Sequence, residues 1–114
     1  FVEESAEARA AIRRNVEALG LTGASKIWRR DATRLGEAGT VAPFGLAFLD
    51  PPYGRGLGEQ ALAGLLSGGW LAPRAVIVLE ERASAALAPT PALTLLDERL
   101  YGDTKILIYI TSLR

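Results

Sequence analysis

The sequence predicts an α/β fold with a mostly parallel sheet, and three patterns carry that reading. Segments of strand and helix character alternate along the chain, which implies parallel strands joined by crossovers. Phe44 to Leu49 and Ala75 to Leu79 are uninterrupted apolar runs, suited to strands buried on both faces. The chain then closes with two strand-like segments, Leu93 to Leu100 and Lys105 to Thr111. The Tyr101-Gly102-Asp103-Thr104 turn between them is short enough for an antiparallel hairpin. At 114 residues the length allows one domain, spanning residues 1–114.

Taken in order, Phe1-Val2-Glu3-Glu4 reads as the tail of a strand already under way, so a chain incomplete at its amino end is expected. Ser5 is placed to cap a helix, with Glu7 in the first turn where the helix dipole favours an acid. Ala8, Ala11, Ile12, Val16 and Leu19 then follow helical spacing, and Gly20 suits the position just past the end. Lys26 to Arg30 is a short strand candidate ending at Asp31. Three breakers (Gly36, Gly39 and Pro43) leave room for at most a short helix between residues 32 and 43. Leu57 to Leu66 reads as a helix with Leu57, Ala61, Leu62, Leu65 and Leu66 on one side, stopped by Gly68-Gly69. Trp70 to Pro73 is a turn with an apolar anchor. The run from Ala75 ends in Glu80 and Glu81, and residues 83–91 form a connector.

Composition narrows the chemistry. Hydrophobic residues make up 49% and charged residues 23%, the balance of a globular protein. Thirteen basic residues meet 13 acidic ones, so no global basic field points to nucleic acid, although eleven of the 13 are Arg, suited to phosphate and base contacts. Cysteine is absent, which removes disulfides and thiolate metal sites. Histidine is absent too, which removes Ser-His and Cys-His catalysis within the chain. No apolar run approaches the ~20 residues that span a bilayer. A cytoplasmic protein with no membrane and no metal is expected.

The most informative stretch is Phe44-Gly45-Leu46-Ala47-Phe48-Leu49-Asp50-Pro51-Pro52-Tyr53-Gly54. Two prolines end the strand, because neither has an N–H for the ladder and each fixes its own φ. Asp50 and Tyr53 are thus expected on a stiff loop at the carboxyl end of a central strand, where open α/β sheets bind ligands.

Asp50-Pro51-Pro52-Tyr53 resembles the (D/N)PP(Y/F) motif of class I AdoMet-dependent methyltransferases that modify exocyclic or amide nitrogens. With Arg55-Gly56-Leu57, Gly68-Gly69-Trp70-Leu71-Ala72-Pro73, Val78-Leu79-Glu80 and Tyr101-Gly102-Asp103-Thr104, the likeness narrows. The chain resembles the carboxyl-terminal portion of the bacterial 16S ribosomal RNA guanine-N2-methyltransferase family, the RsmD type. The resemblance implies a Rossmann-like sheet with an antiparallel terminal hairpin. It also implies that the family's first strand and glycine-rich loop are missing from this chain, leaving a gap between the strand ending at Glu3 and the strand ending at Asp50.

The same resemblance implies S-adenosyl-L-methionine as cofactor. Glu3 would accept from its ribose hydroxyls, Asp31 from the adenine amine, and the Ala32 N–H would reach a ring nitrogen. Read without the family, Glu3 is a strand-end acid with Glu4 as its competitor, and Asp31 a loop-capping residue. Asp50, also near the cofactor, and the Pro51 carbonyl would accept from the two hydrogens of the target amine. They would thereby favour a pyramidal nitrogen and stabilise its developing charge. Together Asp50, Pro51, Pro52 and Tyr53 form the implied catalytic loop. Tyr53 would stack on the base, and Arg55 would meet an RNA phosphate or simply solvent. Glu80 and Glu81 read as structural or rim residues, and Trp28 and Trp70 as packing residues. The implied partner is ribosomal RNA or the assembling small subunit. The competing readings are a DNA adenine-N6 methyltransferase, which shares the motif, and a non-catalytic fragment or interaction module.

Overall fold

The computed structural model describes residues 1–52 and 55–112. It is an α/β structure comprising two compact units, Phe1–Leu35 and Gly36–Arg114.

In the first unit, helix α1 spans Ala6–Ala18. The Ser5 hydroxyl accepts from the Ala8 N–H at 3.3 Å, satisfying one of the helix's unpaired donors, and Glu7 lies in the first turn. The far end closes as a Schellman motif: the Leu21 N–H donates to the Val16 carbonyl and the Gly20 N–H to the Glu17 carbonyl. Gly20 has φ +69°, which a side chain would resist. Val16 is buried, but Leu19, expected on the apolar face, is 72% exposed because it stands at the cap rather than on the helix. The two strands expected around residues 1–4 and 26–30 reduce to one parallel bridge, Val2 with Trp28. It is framed by Trp28 N–H to Phe1 carbonyl at 2.8 Å and Glu3 N–H to Trp28 carbonyl at 3.0 Å. Within residues 1–35 there is no further strand for this pair to build on, and a two-stranded pair alone gains too little to extend.

The second unit is a four-stranded sheet with helix α2, Leu57–Ser67. Its strands are β1 (Phe44–Leu49), β2 (Leu71–Arg82), β3 (Leu93–Tyr101) and β4 (Thr104–Thr111), in spatial order β1-β2-β4-β3. β1 and β2 are parallel, while β2/β4 and β3/β4 are antiparallel. The sheet is therefore mixed, because the terminal hairpin folds back and inserts β4 beside β2. Residues 83–92 contain no helix or strand, as expected of the connector.

Alternation along β2 shows where this core sits. Ala75, Ile77, Leu79 and Glu81 are buried, whereas Val76, Val78 and Glu80 are half-buried. α2 packs over the buried face, against Leu79. Burying Ile77 and Leu79 completely is worth about 1.5–3 kcal/mol each. β1 departs from the expectation of a central strand buried on both faces. It is an edge strand of this sheet, with Leu46 51% and Phe48 73% exposed. An apolar run tells that a strand wants cover, but not whether the segments in hand supply it.

β2 also begins earlier than the sequence suggested, absorbing Leu71 to Pro73. Arg74 interrupts it with φ +59°. There the Thr111 hydroxyl accepts from the Ala75 N–H at 2.8 Å and donates to the Ala72 carbonyl at 3.1 Å, a side chain standing in for ladder bonds. Trp70, as expected, is a packing residue: it is 3% exposed and its indole N–H donates to the Gly36 carbonyl at 2.8 Å.

Gly68 explains the glycine pair that follows α2. Its carbonyl accepts from the Ala38 N–H at 2.8 Å, drawing segment 36–38 against it. A Cβ at Gly68 would meet the Gly36 carbonyl oxygen, the Gly64 carbonyl oxygen and the Trp70 ring, all inside ordinary contact. Two of those are backbone atoms that cannot swing aside. Gly68→Ala is expected to destabilise the fold by roughly 1–3 kcal/mol, read as a lower midpoint in urea or thermal denaturation.

Candidate active site

The loop after β1 is positioned from two sides. Leu49 pairs in parallel register with Leu79, so the next residues, Asp50 and Glu80, stand side by side where the two strands end. From the helix, buried Gly58 comes so close that a Cβ would lie 3.0 Å from Leu79 Cδ1 and 3.4 Å from Pro51 Cγ. The missing side chain lets the first turn of α2 rest on both residues. Pro51 is half-buried and Pro52 exposed. Tyr53, expected to stack on a base, lies outside the described residues. Arg55 is exposed in the bend before Gly56, which starts α2 from a left-handed backbone with φ +66°.

Asp50 is exposed, yet its carboxyl is held above the usual carboxylate range. The first cause is a side-chain hydrogen bond with Glu80; burial and the Glu80 charge add to it. Sequence reasoning reads Glu80 as a structural or rim residue, and so misses this pairing. The signal was present: both apolar runs end in Leu followed by an acid, and parallel neighbours in register bring such ends together.

The other implied site residues lie in the first unit. Glu3 follows the Val2–Trp28 bridge by one residue and Asp31 follows it by three, so both stand at the carboxyl end of the same parallel pair. Glu3 Oε1 accepts from the Ser5 N–H at 3.0 Å. Asp31 caps the short 3-10 turn Ala32–Arg34: its Oδ1 accepts from the Thr33 N–H at 2.9 Å and the Thr33 hydroxyl at 2.7 Å. Ala32 opens that turn and is exposed. The capping geometry anticipated as the plain reading of Asp31 is thus present, with one carboxylate oxygen committed to it.

Two hollows, of about 200 and 230 Å³, lie elsewhere. The first is under α2, lined by Leu62, Leu66, Leu79 and Tyr109, and burial there pushes the Tyr109 phenol up, helped by the Glu98 and Glu59 charges. The second lies against α1, beside Val16 and Ile27. Neither is lined by Glu3, Asp31, Asp50 or Glu80. Among the described residues there is no group of three or more His, Cys, Asp or Glu that could hold a metal ion, and no helix long and apolar enough to cross a membrane.

The Thr33 side-chain bond, followed by the Thr33 backbone bond, holds Asp31 below the usual carboxylate range. A lowered folded-state value means the ionised carboxylate favours the fold. That contribution is present above the unfolded value of about 3.9 and fades as the pH falls through the lower folded one. Thr33→Val removes the larger cause, so the Asp31 titration midpoint is expected to rise toward the ordinary value. Carbon-13 NMR titration checks this, and an unmoved midpoint would show that the hydroxyl does not set it.

Comparison with known proteins places the chain. The family model described as conserved hypothetical protein 95 matches residues 1–110. Ribosomal RNA small subunit methyltransferase D of Haemophilus influenzae is 36% identical over 66 residues, covering 58% of this chain and 34% of that protein. The protein of the same name from Escherichia coli K12 is 36% identical over 76 residues, covering 66% and 37%. The chain thus matches over about a third of the length of these curated relatives. Among solved structures, HI0767 of Haemophilus influenzae is 25% identical with a TM-score of 0.87, over 98% of this chain and 71% of that one. The fold is shared with yhhF of Escherichia coli at 24% identity and a TM-score of 0.82, over 99% and 62%. With a family match that runs through nearly all of its residues, and with relatives that carry the methyltransferase D name, this chain belongs to the conserved hypothetical protein 95 family of RsmD-type proteins.

Proposed function

We propose that this chain is the carboxyl-terminal portion of an AdoMet-dependent N-methyltransferase that modifies the exocyclic N2 amine of a guanine in 16S ribosomal RNA, free or in the assembling small subunit. The observation that carries the reading is Asp50. It is an exposed acid at the end of a parallel strand, held on a Pro-Pro loop that α2 buttresses through Gly58. An aromatic exocyclic amine is a weak nucleophile because its lone pair is delocalised into the ring. Acceptors at Asp50 and the Pro51 carbonyl would draw on its two hydrogens and stabilise positive charge as it develops. Names of relatives support ribosomal RNA as the substrate class.

The residues of the first unit fit the nucleoside part of the cofactor. Glu3 and Asp31 each commit one carboxylate oxygen internally, leaving the second for ribose hydroxyls and the adenine amine respectively. Ala32, an exposed residue, follows Asp31 directly and would offer its N–H to a ring nitrogen. When bound, the cofactor supplies an activated methyl group, so the protein's task is alignment and charge stabilisation rather than activation of the donor. The glycine-rich half of the cofactor site, and a strand beside β1, are assigned in this reading to sequence preceding residue 1. The relatives are longer than the stretch of them that this chain matches.

Methyl transfer from labelled AdoMet by the complete protein, offered protein-free RNA, assembling small subunits and duplex DNA, tests the reading. Label is expected on RNA at guanine N2; label on DNA alone would replace it with a DNA adenine enzyme. In the same protein, Asp50→Ala is expected to abolish turnover while AdoMet affinity stays within about tenfold, since the interaction is stronger in the transition state than in the ground state. Near-normal turnover would remove Asp50 from the chemistry.

A further inference from the structure

Asp50 and Glu80 are held as a pair by the backbone itself. Leu49 and Leu79 are register partners in parallel strands, and the residue after each is an acid on the same face of the sheet. A side-chain hydrogen bond with Glu80 is the first cause that raises the Asp50 carboxyl. Ionised carboxylates only accept, so that bond exists only when one proton lies between the two groups. The pair therefore has two forms: doubly ionised, with like charges pressed together, and singly protonated, with those charges replaced by a hydrogen bond.

We propose that Glu80 is a positioning residue for the methyl-transfer reaction, acting through Asp50, so that the two carboxyls together take up the proton that the substrate amine gives off. The proposal rests on the methyltransferase reading above and deepens it. The amine nitrogen bonds the methyl carbon while the donor's carbon–sulfur bond breaks, its electron pair staying on sulfur as a neutral thioether. The nitrogen, now positively charged, releases its N–H proton to Asp50, and the product is a neutral secondary amine. The pair passes from two negative charges to one, and the donor from one positive charge to none, so charge balances. A lone Asp would be a weak acceptor at neutral pH; an Asp whose protonation relieves repulsion from Glu80 is a stronger one. Asp50 is exposed, so the proton can then leave to solvent.

The other charged groups near the pair lie on both faces of the sheet and at its hairpin end. Glu81 points to the opposite, buried face of β2. Lys105, its register partner on β4, donates to the Ala85 carbonyl at 2.7 Å and pairs with Glu98 at 3.1 Å. Beyond Ile106, Arg99 on β3 is paired with Asp97 at 2.7 Å. Arg82 lies two residues on along β2, with Tyr101 and Asp103 near the hairpin turn beside it. From the helix side, Arg55 precedes α2, and Glu59 in its first turn lines the hollow on the other face. Of these charges, Glu80 is the one that raises Asp50.

Glu80→Gln keeps the shape and a hydrogen-bonding amide while removing the second charge. In the complete protein without substrate, carbon-13 titration of Asp50 is expected to show a lower midpoint than in the unsubstituted protein. With whichever nucleic acid accepts methyl, the acid limb of kcat is expected to move to lower pH together with that midpoint. The plateau kcat is expected to fall about tenfold, with little change in KM. A purely structural Glu80 would lower kcat without moving either midpoint. An unmoved Asp50 titration, or a kcat limb that stays in place while the titration shifts, overturns the proposal even if RNA is methylated. Methylation of DNA instead of RNA, with both midpoints moving, overturns the RNA reading and leaves the proton-sharing pair supported.

Discussion

The parallel register of β1 against β2 is the constraint on which the candidate site depends. Register in a sheet is discrete: a slip of one residue would turn every side chain of β1 to the opposite face. With Leu49 fixed opposite Leu79, Ala47 and Leu49 face the helix side together with Ile77 and Leu79. Leu46, Phe48 and Asp50 take the other face with Val76, Val78 and Glu80. A slip of β1 would carry half-buried Ala47 and Leu49 away from fully buried Ile77 and Leu79, which makes the register expensive to change. The same apolar contacts that stabilise the sheet therefore decide that two acids finish side by side.

Glycine does the complementary work on the helix side. At Gly58 the absence of a side chain brings the start of α2 down onto Leu79 and Pro51, so the proline loop is gripped rather than merely stiff. At Gly68 the same absence lets segment 36–38 close against the end of the helix, where Ala38 N–H, Gly36 carbonyl and the Trp70 indole form a small bonded cluster. Neither glycine needs an unusual backbone conformation. Both are positions of close approach, which accounts for Gly near each end of a helix whose propensity they would otherwise lower.

Much of this could be read from residue patterns because the signals are local. Ser5, Gly20 and the spacing of α1 gave its ends, since caps depend on nearby atoms. The terminal hairpin followed from two strand patterns around Gly102, which takes φ +61° in the turn. What failed was information about neighbours. The run Phe44 to Leu49 announced a strand with apolar side chains, but its place at the sheet edge depends on which other strands are present. Lys26 to Arg30 has strand character yet forms only a bridge, because extension needs a third strand. Glu80 was passed over for a related reason: an acid at a strand end has no meaning until register gives it a partner. Asp31 was legible as either a cap or a ligand, and the capping half is the one that local geometry supplies.

The two faces of the four-stranded sheet divide the labour. α2 covers the side bearing Ala75, Ile77 and Leu79, and there the sheet gains its stability. The side bearing Leu46, Phe48, Val76 and Val78 is left half-buried or exposed within the same unit, and it is the side to which Asp50 and Glu80 belong. An exposed apolar edge is a liability that folded proteins normally cover. Leu46 and Phe48 lead along β1 toward Asp50 at two-residue intervals. Whatever comes to cover them also fixes how much water reaches the carboxyl pair. Lower local polarity would strengthen both the repulsion in the doubly ionised pair and the hydrogen bond in the protonated one. Desolvation by a cover over the β1 face would therefore raise the proton affinity of the pair.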